Sequence, residues 1–470
     1  MLNVKHENQR RTDVCMKKFI DKLKNNLQVF GVNRAIAYGV FTRIWSVIAG
    51  PLTIILIAAK FSKTEQGYYY TYSSLLALQI FFELGLTTVL AQFAAHEFAF
   101  LKWGTKGNII GDKIHREKFI DILVKAVKWY VVSAVLLILI LIPIGLQFFS
   151  HSSLNVVDFS WKLPWVFAVI GISCNLLLVP FYAVITGSGD VAAINFRMMI
   201  GGVISSVIGW FVIAYGGGLY AIPAISAGSM MVGIIYLYNS KSELLKIVFL
   251  KLFSDVKSMN TISWWGEIWP MQWKIALSWI SGYFIFQLYT PILFKYHGPI
   301  VAGQMGMTLS VVNSVQAIAL MWLNTKSPEF CKLIAKKEYH KLNQLFNKAL
   351  KQSIFACFLL SLVLLIIFIF LQSYTLIGSR FLTVLQVGLF LVIVCSNVLI
   401  YGWATYMRAH KEEPLLWYSV IGALLTATST YYLGVSYSSI GMACGSLGIS
   451  LVWGIPSTYY CFKKFKERYV

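Results

Sequence analysis

Six ionisable side chains stand within or at the edges of stretches that are otherwise apolar: Arg43, Glu83 and Lys274 deepest, Arg197, Glu267 and Arg408 nearer the ends. A charge in an apolar medium costs about 2.5–3.5 kcal/mol at a helix centre, so one that is retained marks a functional candidate. Arg43 and Lys274 lie one to two turns inside equivalent ends of two apolar stretches. Facing each other they would form a cationic pair suited to a phosphate or pyrophosphate, the arginine by its planar fork and the lysine as a point charge. The alternative is that both snorkel to a surface and anchor their helices. Glu83, in Phe81-Phe82-Glu83-Leu84-Gly85-Leu86, either takes up a proton as a coupling carboxylate or forms an ion pair that locks the first two helices together.

The stretches that position these residues are long and greasy. The 470 residues are 58% hydrophobic and 13% charged, against about 45–50% and about 25% for soluble domains. Runs such as Ala134 to Leu146 and Ile354 to Leu371 need an apolar surrounding on every side, which a bilayer supplies at roughly 20 residues per crossing. The pattern predicts an all-α polytopic membrane protein with about twelve spans. They lie near 40–60, 68–95, 127–149, 163–186, 194–214, 219–238, 266–294, 299–324, 353–373, 381–407, 414–432 and 439–461.

A net charge of +21 would suggest nucleic acid in a soluble protein, but here the basic residues sort by side. With the N-terminus inside, only Lys60, Lys63, Lys162, Lys295 and Arg380 of the 40 lysines and arginines fall in outer loops, while seven lie between His96 and Lys128. Both termini are therefore expected in the cytoplasm, and no nucleic-acid partner is expected. The first 38 residues lack the apolar core of a cleavable signal, and Met16 to Phe30 reads as an amphipathic surface helix or a solvated tail. None of the seven cysteines falls in an outer loop or in CxxC spacing, which argues against a disulfide framework and against a structural zinc site.

The chain also repeats itself. Lys125-Ala-Val-Lys128 before the third span returns as Lys348-Ala-Leu-Lys351 before the ninth; Asn175 pairs with Asn397, Glu97-Phe98 with Glu329-Phe330, and Arg43-Ile44 with Lys274-Ile275. The matches keep their order at offsets of 222 to 232, which predicts two parallel six-helix halves related by an axis along the membrane normal. The expected division is a cytoplasmic segment 1–38, a bundle 39–238, a basic linker 239–265 and a bundle 266–470 with a basic tail. A cleft between two such halves is transporter geometry.

Other signals are weaker. Gly50-Pro51, Pro180, Gly201-Gly202, Pro270 and Pro291 interrupt spans and are commonplace in membrane helices. Trp264, Trp265, Trp269 and Trp273 read as an interfacial belt or as sugar-stacking rings. There is no GxxxxGK[ST] loop, His96-Glu97 lacks the second histidine of a zinc protease, and Gly187 to Ala192 fits a dinucleotide motif only formally, between hydrophobic spans. No enzyme activity and no cofactor are expected.

The run Gly67-Tyr-Tyr-Tyr-Thr-Tyr-Ser-Ser-Leu-Leu-Ala-Leu-Gln79, with Phe82-Glu-Leu-Gly-Leu86, Gln92-Phe93, His96-Glu97, Trp269-Pro-Met-Gln-Trp-Lys274 and Gly282-Tyr-Phe, resembles the polysaccharide-type (O-antigen repeat-unit) flippases. These belong to the multidrug/oligosaccharidyl-lipid/polysaccharide (MOP) exporter superfamily. The resemblance covers nearly all of the chain from about residue 35. It implies transfer of an undecaprenyl-pyrophosphate-linked oligosaccharide between leaflets of the bacterial inner membrane, during assembly of O-antigen, lipopolysaccharide, capsule or exopolysaccharide. The lipid-linked oligosaccharide, membrane lipids and other polysaccharide-assembly proteins would be the partners. The pyrophosphate would sit by Arg43 and Lys274, although many relatives carry more cavity cations than this chain offers. The competing readings are a drug or organic-cation exporter of the same superfamily, which wants buried acids, and a membrane glycosyltransferase or glycan polymerase, which wants catalytic acids and a large outer loop.

Overall fold

The computed structural model describes residues 34–150, 159–253, 263–410 and 412–468; the amphipathic stretch expected at Met16 to Phe30 lies outside them. Eight helices are long and apolar enough to cross a membrane, and three bent pairs raise the number to eleven. The twelfth crossing is hidden within Leu416–Lys466. There Ser438 adopts φ 58° and ψ −147°, which ends one helix and starts another running back along it. Trp453 accordingly reaches Tyr418, its Nε1 donating to the carbonyl at 3.2 Å.

The spans are Arg34–Lys60, Lys63–Glu83 with Leu86–Phe98, Lys113–Ser150, Lys162–Gly187, Val191–Ala214 and Ala221–Phe253 in the first half. In the second they are Trp264–Phe286 with Tyr289–His297, Pro299–Ala319 with Met321–Ala335, Tyr339–Tyr374, Val384–Ala409, and 416–437 and 439–466. Twelve crossings return the chain to the end from which it started. We call this end inner, following the basic residues, and the opposite end outer.

The third and ninth helices begin at Lys113 and Tyr339, a dozen or more residues before the apolar stretches read from the sequence. Hydropathy marks only the part that needs lipid, whereas the amphipathic turns before it go on burying Phe119 and Leu123 in one cluster with Leu101 and Ile109 of the inner loop, and Phe346 against Phe330, Tyr406 and Phe462. The sixth helix likewise runs on to Phe253, into the stretch read as linker, with its one non-helical residue at Lys241. One departure from an all-helical chain is a two-stranded ribbon, Leu101–Trp103 with Ile109–Gly111, in the inner loop after the second span. It lies over the sixth helix: the Lys241 ammonium stands 3.7 Å from the centre of the Trp103 ring and 3.2 Å from Asp190.

Two inner loops share an uncommon backbone conformation. Lys106 and Lys337, 231 positions apart, sit in corresponding inner loops, and both hold positive φ, 52° and 57°. A left-handed lysine is uncommon; Lys106 holds it in the turn of the ribbon and Lys337 in the turn between two helices.

Candidate functional site

The two halves meet most closely at their outer ends. A Cβ on Gly67 would overlap the Pro299 carbonyl, and one on Gly306 would overlap the Tyr70 ring, so glycine is what allows the second and eighth spans to touch. The Gln66 side chain, 1% exposed, donates to the carbonyls of Gly303 at 2.9 Å and Arg380 at 3.0 Å. Arg380, on the loop after the ninth span, answers with Nη1 to Gln66 Oε1 at 3.2 Å and Nη2 to the Phe61 carbonyl at 2.6 Å. Deeper in, the hydroxyls of Ser74 and Thr290 lie 2.5 Å apart. Tyr68 sets its ring edge-to-face on Phe294 at 4.8 Å and stacks on Phe149 at 5.2 Å. The tyrosine run noted in the sequence thus forms one side of a seal between the halves.

Toward the inner side the seam changes helices. Gly85 approaches the Ile275 side chain, and Trp129 stacks on Trp264 at 5.6 Å, so the second and third spans hold the seventh. Trp264 therefore belongs to the seam between halves, while Trp265 is the exposed member of the expected aromatic belt. The first span packs on the fifth through Trp45–Trp210 and Tyr38–Phe196. It reaches the eighth at Gly50, whose Cβ would stand 3.9 Å from Ser314 Oγ.

Arg43 is seven residues before Gly50, hence on the same helix face two turns further in, and it is exposed. Lys274 is exposed as well and shares one stripe of the seventh span with Ser278 and Ser281, at i+4 and i+7. Neither enters an ion pair among the described residues. Their helices are not packed side by side: the first span lies on the fifth and eighth, the seventh on the eleventh and the second.

Glu83 stands at a break in the second span. Leu84 and Gly85 both turn left-handed, φ 50° and 64°, and the helix bends by 42°. The carbonyl of Phe82 accepts from Ser133 Oγ at 3.2 Å. The Glu83 carboxylate accepts from the Thr87 hydroxyl, which itself lies 3.2 Å from Tyr130 Oη. Among the described residues no basic side chain pairs with Glu83.

The secondary candidates have structural duties. Arg197 lies over the Tyr182 ring at 4.3 Å and donates to the Ser229 carbonyl at 2.9 Å, joining the fourth, fifth and sixth spans. Glu267 caps the start of the seventh span, accepting from the Ser263 amide at 2.9 Å. Arg408 is held by both oxygens of Glu413, at 2.8 and 2.7 Å.

Arg408 also stands at the rim of a feature that the sequence reading missed. A cavity of about 390 Å³ opens within the second half, between the seventh, eighth, tenth, eleventh and twelfth spans. The amides of Asn313, Gln316 and Asn397 line it, together with Ser278, Ser281 and Trp453. The polar positions Asn313 and Gln316, one turn apart on the eighth span, were its signal in the sequence.

The comparisons agree on the fold. The lipid II flippase MurJ in an inward closed conformation superposes with a TM-score of 0.59 at 13% identity, over 93% of this chain and 90% of its own. A multidrug-resistance MATE family transporter of the MOP superfamily, inward-facing, gives 0.56 at 12%, over 90% and 99%. A MOP superfamily transporter from Pyrococcus furiosus, described as having a binding pocket of reversed polarity, gives 0.52 at 12%, over 92% and 97%. No protein-family model and no curated protein matches the chain. The chain has the two-bundle fold of MOP transporters.

Proposed function

We propose that this protein is a flippase that carries an undecaprenyl-pyrophosphate-linked oligosaccharide repeat unit from the cytoplasmic to the outer leaflet of the bacterial plasma membrane, for surface polysaccharide assembly. The observation that carries the reading is the seal of Gln66, Arg380, Gly67 and Gly303 across the outer ends, set above an inner side on which Arg43 and Lys274 are exposed and make no ion pair among the described residues. An anionic head group would enter from the inner side. The two bundles would then tilt relative to one another, parting the seal and releasing the head group outward. The prenyl tail would stay in lipid throughout. The description of MurJ as a lipid II flippase supports a lipid-linked cargo.

An organic-cation exporter is less well served. The cavity in the second half is lined by no carboxylate, and Arg408 is its single charged lining residue. A glycan polymerase would need an acidic catalytic cluster, and no group of three or more metal-ligating side chains occurs among the described residues.

The test is deletion of the gene followed by assay of the lipid-linked repeat unit on each leaflet. Accumulation on the inner leaflet with loss of surface glycan is expected. Absence of the intermediate would point to a biosynthetic enzyme instead, and unchanged surface glycan would contradict the proposal.

A further inference from the structure

The cavity in the second half is chemically distinctive. Its volume of about 390 Å³ falls within the range of small-molecule pockets, about 300–1,000 Å³. Arg408 is the single charge in its lining, and that guanidinium is already committed to Glu413. The cavity therefore offers no counter-charge to a cation and no free cation to a phosphate.

Its surface is mostly apolar, and the hydrogen bonding that it offers is neutral. Asn313, Gln316 and Asn397 line the cavity, and their side chains make no hydrogen bond among the described residues. Ser450, 9% exposed, has a buried hydroxyl without a partner, and it opens the π-helical turn Ser450–Gly454, a kind of distortion frequent at functional sites. The buried Ser450 hydroxyl is costly without a partner, and a guest that bonds it recovers that cost, while Gln316 and Asn397, half-buried, and Asn313, exposed, stand open to the same guest. Tyr289 and Trp453 add aromatic surface to the same lining.

The repeat supplies a control within the molecule. Asn175, the counterpart of Asn397 in the first half, donates to the carbonyls of Gly171 at 2.9 Å and Ser226 at 2.8 Å and so stitches the fourth span to the sixth. Asn397, its counterpart by sequence, lines a cavity and makes no side-chain hydrogen bond among the described residues. One copy serves the fold, and the other is free for a ligand.

An uncharged guest dense in hydroxyls, with an apolar face to lay against aromatic rings, is a sugar. We infer that this cavity is a saccharide subsite that receives neutral sugar of the lipid-linked substrate. Lys274, one turn from Ser278 on the same stripe, then stands at the approach, where the adjoining pyrophosphate would be. The inference rests on the flippase reading and adds to it where the sugar is held.

The test uses the full chain in lipid nanodiscs and two probes, undecaprenyl pyrophosphate and undecaprenyl-pyrophosphoryl-N-acetylglucosamine, with binding followed by native mass spectrometry. Wild type is expected to bind the sugar-bearing probe about tenfold more tightly, on the order of two hydrogen bonds. Asn397→Leu and Gln316→Leu are expected to erase that preference and leave the bare pyrophosphate unaffected. Because Asn397→Leu removes an unbonded amide, its thermal midpoint should hold or rise; Asn175→Leu should lower the midpoint and keep the preference. Equal binding of the two probes by wild type, a preference that survives Asn397→Leu, or loss of both probes by a variant with an unchanged midpoint would each overturn the subsite. Failure of wild type to bind either probe would overturn the flippase reading itself, and this inference with it.

Discussion

Arg380 donates to the backbone carbonyl of Phe61 at 2.6 Å, so a loop of the second half grips the residue that follows the first span. The same guanidinium reaches Gln66, and Gln66 reaches back to the Arg380 carbonyl. Three bonds thus bridge the halves within a few ångströms, each worth about 0.5–1.5 kcal/mol net and more where the group is charged. They must break whenever the outer side opens.

Arg380→Ala is therefore expected to shift the protein toward an outward-open state. In a background with the seven native cysteines replaced by serine, labelling of Tyr70→Cys by an impermeant maleimide from outside should rise about tenfold. Equal labelling in both backgrounds would show that the contact is incidental to gating.

Replacing Arg43 or Lys274 by Glu places an anion where the head group is expected. Transport at normal surface expression should fall about tenfold or more, the loss of one charge-assisted contact of about 1.5–3 kcal/mol, while the Ala variants should lie between. Wild-type transport by the Glu variants would return both residues to a helix-anchoring role.

For Glu83 the helix break and its hydroxyl partners favour a group that exchanges a proton over a fixed ion pair. Transport measured while the outside pH is moved between about 6 and 8 should respond in wild type and be flat in Glu83→Gln, which keeps the shape without the titrating group. Identical profiles would remove the coupling role.

Ser438 occupies a backbone conformation suited to glycine, φ 58° and ψ −147°, at a cost of order 1–3 kcal/mol. Ser438→Gly is expected to raise the unfolding free energy by about 1 kcal/mol without changing transport. A lower thermal midpoint would mean that the serine earns its place by a contact.

Much of this architecture was legible in the residues because lipid imposes it. Apolar length predicts crossings, and the basic residues sort the loops. The boundaries were not legible, since helices such as Lys113–Ser150 continue past the membrane on amphipathic packing. Nor was the seal: Arg380 reads in sequence as one more loop cation, and only the tertiary fold brings it to Phe61 and Gln66. Asn175 and Asn397 show the limit most plainly. Sequence pairs them, but whether an amide is bonded or free depends on whether a neighbouring span presents a carbonyl such as that of Ser226.

The most direct measurement is reconstitution. Purified protein in sealed liposomes is given a fluorescent undecaprenyl-pyrophosphoryl oligosaccharide on one leaflet, and the fraction quenched by an impermeant reagent on the other side is followed in time. The account predicts that label crosses at a rate proportional to protein and well above that of empty liposomes, and that Arg43→Glu suppresses the crossing. Crossing no faster than in protein-free liposomes would contradict it.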